Sequence, residues 1–279
     1  MKIPLIAWLT FQEARRRRIV TAALLLGAAF LGLYALGFHF IFREMTRQFS
    51  RPSDNPDVKF GLNLILMAGL YVINFLVVVL SGLTAVDTIA GEISSHTIQT
   101  VAAKPIRRWE IVAGKWVGFA LMIAAYVLLM AGGVMAVAYL TAGYVAPGAA
   151  QSLALMIWEG VLMMSLSLVG GALWSTLANG VFIFGMYGLA FVGGWIERIG
   201  SAMHNDTAVN LGIVSSLLMP SEALWQRAAY LMQPPLLRNI GMGPFSFGSY
   251  PSNAMVGYSV LYVAAAVLLA AFIFTRRDL

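Results

Sequence analysis

Six runs of apolar residues, each long enough to cross a bilayer, leave this chain little choice of fold. They fall at 19–41, 61–85, 116–141, 152–174, 178–195 and 255–275. About 20 helical residues, rising 1.5 Å each, cross the ~30 Å hydrocarbon layer. In that layer the backbone has no water to bond, so it must close its own hydrogen bonds as helices or as a barrel. The runs lack the alternation of barrel strands. Composition agrees, with 60% hydrophobic and 11% charged residues, against roughly 45–50% and 25% in soluble domains. The predicted fold class is all-α, a polytopic membrane protein with six transmembrane helices in a single transmembrane domain over residues 1–279.

The net charge of +6 marks a membrane face in such a chain and does not call for a nucleic-acid partner. Basic residues collect on the cytoplasmic side of short loops. Lys2 and Arg15–Arg18 precede the first run, Lys104, Arg107, Arg108 and Lys115 lie between the second and third, and Arg276 and Arg277 follow the last. Those eleven of eighteen basic residues predict both termini in the cytoplasm and a multi-pass protein of the plasma membrane. Arg43, Arg47, Arg51 and Lys59, in the first external loop, oppose that orientation. The N-terminus does not read as a cleaved signal: its apolar run is too long, and FREMTR follows it where a small-residue cleavage site would stand.

Residues 3–14, IPLIAWLTFQEA, put Leu5, Trp8 and Leu9 on one side of a helix. Before the arginines, such a helix (3–18) lies in the membrane interface or else continues the first span. Residues 196–254 are too long for a simple turn. They hold LGIVSSLLM (211–219), of re-entrant length, then Pro220-Ser221-Glu222, a helix start leading into ALWQRAAYLM. Leu224, Ala228 and Leu231 make one apolar face there, with Glu222, Gln226 and Arg227 off it. Two short external helices capping the bundle before the last span are expected.

Several chemistries find no support. The only Gly-Lys pair, Gly114-Lys115, has Trp109 where a phosphate loop needs its first glycine and Trp116 where it needs Ser or Thr. ATP is therefore not bound here by that device. With no cysteine, disulfides and thiolate metal sites are excluded. His39, His96 and His204 lack metal-ligand spacing, and Met163, Met164 and Met203 read as ordinary apolar filler. No metal site and no cofactor on this chain are expected.

Three polar residues inside the spans stand out. Glu159 lies about 10 Å into the fourth run, where a carboxylate needs a polar cavity or a partner. It lines a substrate pathway or forms a structural pair. Asn63 and Asn74, in the second run, are weaker pathway candidates, since interhelical hydrogen bonding is the default use of an asparagine in a span.

The densest charge lies in GEISSHTIQTVAAKPIRRWEIVAGK, residues 91–115. Ile93, Thr97, Ile98 and Val101 share a helical face, and Pro105 disfavours helix at Lys104. A second helix can start at Ile106, with Arg107 and Glu110 as an i,i+3 pair, and run into the third span. Helix, break, and helix joined to a span is a shape through which a cytoplasmic partner could move that span. A solvated loop carrying ordinary positive-inside charge has the same residues.

This segment resembles the loop after span two in permease subunits of type-2 ABC transporters. The matching residues are Glu92, Thr97, Lys104, Pro105, Arg107, Arg108, Glu110, Gly114 and Lys115, while His96 stands where that family usually carries glycine. The likeness extends to the six-span layout, the basic helix before the first span and the long segment before the last, including LLMPSEALWQRA. It implies a prokaryotic inner-membrane exporter subunit that is not itself an enzyme. Two such permeases, identical or related, would pair, and two cytoplasmic ATPase subunits carrying ATP and Mg would dock on residues 91–110. Glu92, Thr97, Lys104, Pro105, Arg107, Arg108 and Glu110 would form the ATPase-coupling set, and the substrate path would run between two copies along spans two and five. The rivals are a non-transporting anchor or signalling partner of an ATPase, and a membrane enzyme using Glu159 with His204 and Asp206.

Overall fold

The computed structural model describes residues 2–48, 56–94, 107–235 and 250–276, and the described chain is helical with no strand. Its helices are α1 (Lys2–Arg16), α2 (Arg18–Gln48), α3 (Pro56–Ser94), α4 (Arg108–Ala142), α5 (Ala149–Leu173), α6 (Thr176–Ala202), α7 (Asp206–Leu218), α8 (Ser221–Met232) and α9 (Asn253–Arg276). Six of them, α2, α3, α4, α5, α6 and α9, are long and apolar enough to span a bilayer.

Burial ranks these spans. Two-thirds of the apolar window of α5 is buried, but only 11% of that of α2. So α5 is the axis of the bundle, α3 and α4 flank it, and α2, α6 and α9 turn most of their surface outward. The exposed Leu33, Leu128, Leu177, Leu189 and Leu268 are what a lipid-facing surface requires.

Hydrogen bonds between spans come from small hydroxyls and a few amides, the usual glue where water is absent. Trp116 Nε1 donates to Ser165 Oγ at 2.8 Å, and Ser167 Oγ donates to the Gly82 carbonyl at 3.1 Å. The turn between α5 and α6 is only Trp174 and Ser175. It folds Asn179 back so that its amide donates to Ser167 O (2.8 Å) and Val86 O (3.4 Å). A side chain at Gly170 would occupy the place of that amide.

Both ends of the bundle have a distinct construction. At the lower end, α1 stops at a bend on Arg17 and lies along the start of α4. A Cβ at Gly118 would be 2.6 Å from the Ala7 carbonyl oxygen. At the upper end α7 folds back antiparallel on α6, Gly200 facing Ala208 and Gly193 facing Ser215 so closely that neither glycine has room for a Cβ. Helix α7 starts at Asp206, five residues earlier than its apolar run suggests, because Asn205 caps it: its Oδ1 accepts from the Ala208 N–H at 3.1 Å.

After Pro220, α8 returns toward the upper rim between α3, α5 and α6. It is buried nearly all round, Glu222 and Gln226 included. The apolar face expected for this helix exists, but the polar residues off it face the protein. Ser152 Oγ donates to Ala228 O (2.9 Å), and Asn63 Nδ2 donates to Met232 O (2.9 Å) and to Tyr144 Oη (2.9 Å). The hairpin α7–α8 is thus pinned at its far end by α3 and α5.

Candidate functional site

Two regions carry the residues singled out in the sequence. The first is a polar cluster within the upper half of the bundle. Helix α5 begins at Ala149, so Glu159 lies about 15 Å along it, nearer the middle of the span than its apolar run suggested. Glu159 is fully buried, and Asn74 Nδ2 of α3 donates to its Oε1 at 3.2 Å. Neither Glu159 Oε2 nor Asn74 Oδ1 has a hydrogen-bond partner among the described residues.

Glu222 of α8 enters the same cluster. Its side chain rests on Gly194, where a Cβ would be 2.6 Å from Glu222 Cγ, and its carboxylate pairs with Arg198 of α6. Arg198 also lies 5.0 Å from the Trp195 ring centroid. Burial pushes the Glu222 carboxyl up to about 7, against the opposing pull of the Arg198 guanidinium. Tyr71 and Tyr187 stand within electrostatic reach of both Glu159 and Glu222.

A cleft of about 340 Å³ opens beside this cluster, between α3 and α6. Its walls include Tyr71, Val72, Asn74, Phe75, Tyr187 and Phe191, and Glu159 lies one hydrogen bond behind Asn74. The chemistry offered is recognition: aromatic faces for apolar contact, an amide at the wall, and a carboxylate behind it. His204 and Asp206 are exposed on the turn from α6 to α7, whereas Glu159 is buried inside α5. Those three residues do not form one site. Asn63 belongs to the clamp on the end of α8, eleven residues or about 16 Å along α3 from Asn74.

The second region is the lower end. Helix α3 runs without a break through Glu92 to Ser94, and α4 runs without a break from Arg108 into its span. Arg107 is the extended N-cap of α4, and the Glu110 carboxylate accepts from the Arg107 N–H at 2.9 Å. Glu110 therefore caps the helix through the backbone of Arg107, a tighter use than the guanidinium pair expected from their spacing. Arg108 Nη1 donates to the Thr275 carbonyl at 3.3 Å, holding the last turn of α9 where a cation suits the helix dipole.

Arg17, at the bend between α1 and α2, reaches Thr84 O (3.4 Å) and Thr88 Oγ1 (3.5 Å) on α3 while pairing with Glu13 at 2.8 Å. The helices that flank residues 95–106 are thus tied to α1, to the bend before α2 and to α9. Thr97, Lys104 and Pro105 lie outside the described residues, as does the side chain of Glu92.

The model of the ABC-2 family transporter proteins matches residues 4–279, nearly the whole chain. The chain belongs to that family. No curated protein matches it. As an ABC-2 permease it is a multi-pass membrane component of a transporter and not itself the catalytic chain. The residues that sequence reasoning missed in this permease are Arg198, Tyr71 and Tyr187. Arg198 did carry a signal: an arginine three residues past an apolar run needs a buried acid if the helix continues, and α6 continues to Ala202.

Proposed function

We propose that this chain is the membrane-embedded permease of an ATP-driven exporter in a prokaryotic inner membrane, with both termini cytoplasmic and α1 lying in the interface. Two permeases, identical or related, pair, and two separate cytoplasmic ATPases, carrying ATP and Mg, dock on residues 91–110. Glu92, Thr97, Lys104, Pro105, Arg107, Arg108 and Glu110 form the docking and transmission set. The substrate moves along α3 and α6, past Asn74, with Glu159 behind it.

One observation carries this reading. The helices flanking 95–106 are unbroken extensions of α3 and α4, so a force on that segment displaces a wall of the aromatic cleft directly through α3. Binding free energy from the ATPases can bias the bundle only through contacts that differ between its two states, and ends tied by Arg17 and Arg108 offer such contacts.

The test is isolation of the tagged full-length chain from its native membranes. The expected result is an ATP-hydrolysing chain with a phosphate loop that co-purifies, and loss of substrate-stimulated hydrolysis in Arg108→Glu with membrane insertion intact. An intact membrane domain that never retains such a chain overturns the reading, and so does Arg108→Glu with normal ATP-driven export.

A further inference from the structure

A second groove, separate from the α3/α6 cleft, opens at the upper end between α5, α8 and α9, with a volume of about 680 Å³. Its lining changes character along its length. Gln151, in the first turn of α5, and Asn253, the first residue of α9, stand at the upper rim with Arg227 of α8. Trp158 and Val260 lie seven residues further along α5 and α9, about 10 Å deeper, with Val256 between. Trp158 is held by a 3.0 Å bond from its Nε1 to Ser259 Oγ. One end is therefore amide and guanidinium, and the rest is hydrocarbon and indole.

Arg227 supplies the decisive charge. Its guanidinium donates to the Pro251 carbonyl (3.2 Å) and to Asn253 Oδ1 (2.7 Å), and lies 5.7 Å from the Tyr230 ring centroid. All three partners are neutral, and none of its partners among the described residues is a carboxylate. The buried Glu222 on the same helix pairs with Arg198 instead. A half-buried guanidinium with five N–H groups and only neutral acceptors attracts an anion.

We propose that this groove is a binding site for an anionic phospholipid of the leaflet facing the α7–α8 hairpin. The phosphate sits at Arg227, whose planar fork suits phosphate oxygens, with the Gln151 amide beside it. One acyl chain lies along Val256, Trp158 and Val260. The change from polar rim to apolar wall over about 10 Å is the gradient a phospholipid presents from headgroup to chain. Because no described carboxylate pairs with Arg227, a headgroup with net negative charge is favoured over a zwitterionic one, whose ammonium would be brought toward the guanidinium. The site stands whether or not the chain couples to an ATPase.

The experiment uses the purified full-length chain in nanodiscs of mixed phosphatidylglycerol and phosphatidylcholine, with retained lipids counted by native mass spectrometry. The wild type is expected to retain phosphatidylglycerol over phosphatidylcholine by about tenfold, and Arg227→Lys to keep a preference. Arg227→Gln should bring the two lipids to parity. Val260→Trp, which fills the apolar part and leaves Arg227 untouched, should lose the retained lipid. It decides the matter if Arg227→Gln proves unstable. Equal retention of the two lipids by the wild type, an unchanged preference in Arg227→Gln, or full retention in Val260→Trp each overturns the proposal.

Discussion

Replacing Arg198 with methionine isolates the contact that holds the hairpin to the span behind it. Methionine keeps the apolar stem and removes the charge. Glu222, with only 2% of its side chain exposed, then loses its cation. Breaking a buried pair by removing one partner costs about 3–5 kcal/mol, because an uncompensated charge remains. The size of that cost should depend on pH. The Glu222 carboxyl already titrates near 7 with Arg198 present, so without the guanidinium it takes up a proton more readily.

The penalty of Arg198→Met is therefore expected to grow as pH rises from 5 to 9, because proton uptake by the unpaired carboxyl limits it at lower pH. Adding Glu222→Gln removes the charge altogether, and the double variant should recover to within about 1 kcal/mol of wild type, giving a coupling energy above about 2 kcal/mol. Thermal unfolding in detergent micelles, followed by tryptophan fluorescence, reads the stability, and among the seven tryptophans Trp225 is fully buried three residues from Glu222, its ring centroid 5.6 Å from that of Tyr71. A penalty that does not grow with pH, or strictly additive effects, would refute the reasoning.

Two further outcomes follow from the same geometry. The Glu222 carboxyl is raised in the folded protein from 4.5 to about 7, so its stabilising contribution is complete below about pH 4.5 and is lost as pH rises through about 7. Melting temperature should fall across that window in the wild type and show a flatter profile in Glu222→Gln. Gly118→Val should drive α1 off α4, since its Cβ meets the Ala7 carbonyl oxygen at 2.6 Å and Thr10 Cβ at 2.8 Å. The expected cost is about 1–3 kcal/mol, visible as faster tryptic cleavage at Arg15 and Arg16 with the rest of the bundle intact.

The spans were legible because hydrophobicity over twenty residues is a strong signal, but their ends were not. Helix α3 extends past Ala85 to Ser94 and α6 past Trp195 to Ala202. A helix needs no apolar residue to continue, only backbone bonds, and the apolar run stops where charge begins. Helix α7 was shortened for the same reason, its first turn being Asp206 and Thr207 after the Asn205 cap. Glu159 and Asn74 were each conspicuous as polar residues in hydrocarbon. Their contact, 85 residues apart, depends on the packing of α3 against α5. The pairing of Arg198 with Glu222 is hidden in the sequence because α8 reads there as a surface cap. Its single apolar face of Leu224, Ala228 and Leu231 does suit an amphipathic surface helix, and only the turn at Pro220 carries it inward. The α4 cap was half legible: the spacing of Arg107 and Glu110 pointed to an interaction, and the structure assigns it to the backbone N–H.

The central claim is that a separate ATPase, acting on the lower end, rearranges the cleft between α3 and α6. Because the chain has no cysteine, two introduced cysteines give one spin-label pair per chain, and mixing with excess unlabelled permease isolates that pair when two chains assemble. Val72 on α3 and Leu189 on α6, both solvent- or lipid-exposed near the cleft, are suitable positions. Electron–electron distance measurements on the permease reconstituted with its ATPase should show a shift of several ångströms on adding Mg-ATP, reversed when ADP replaces it and absent in Arg108→Glu. A distance distribution unchanged by Mg-ATP, with the ATPase bound and hydrolysing, would contradict the account.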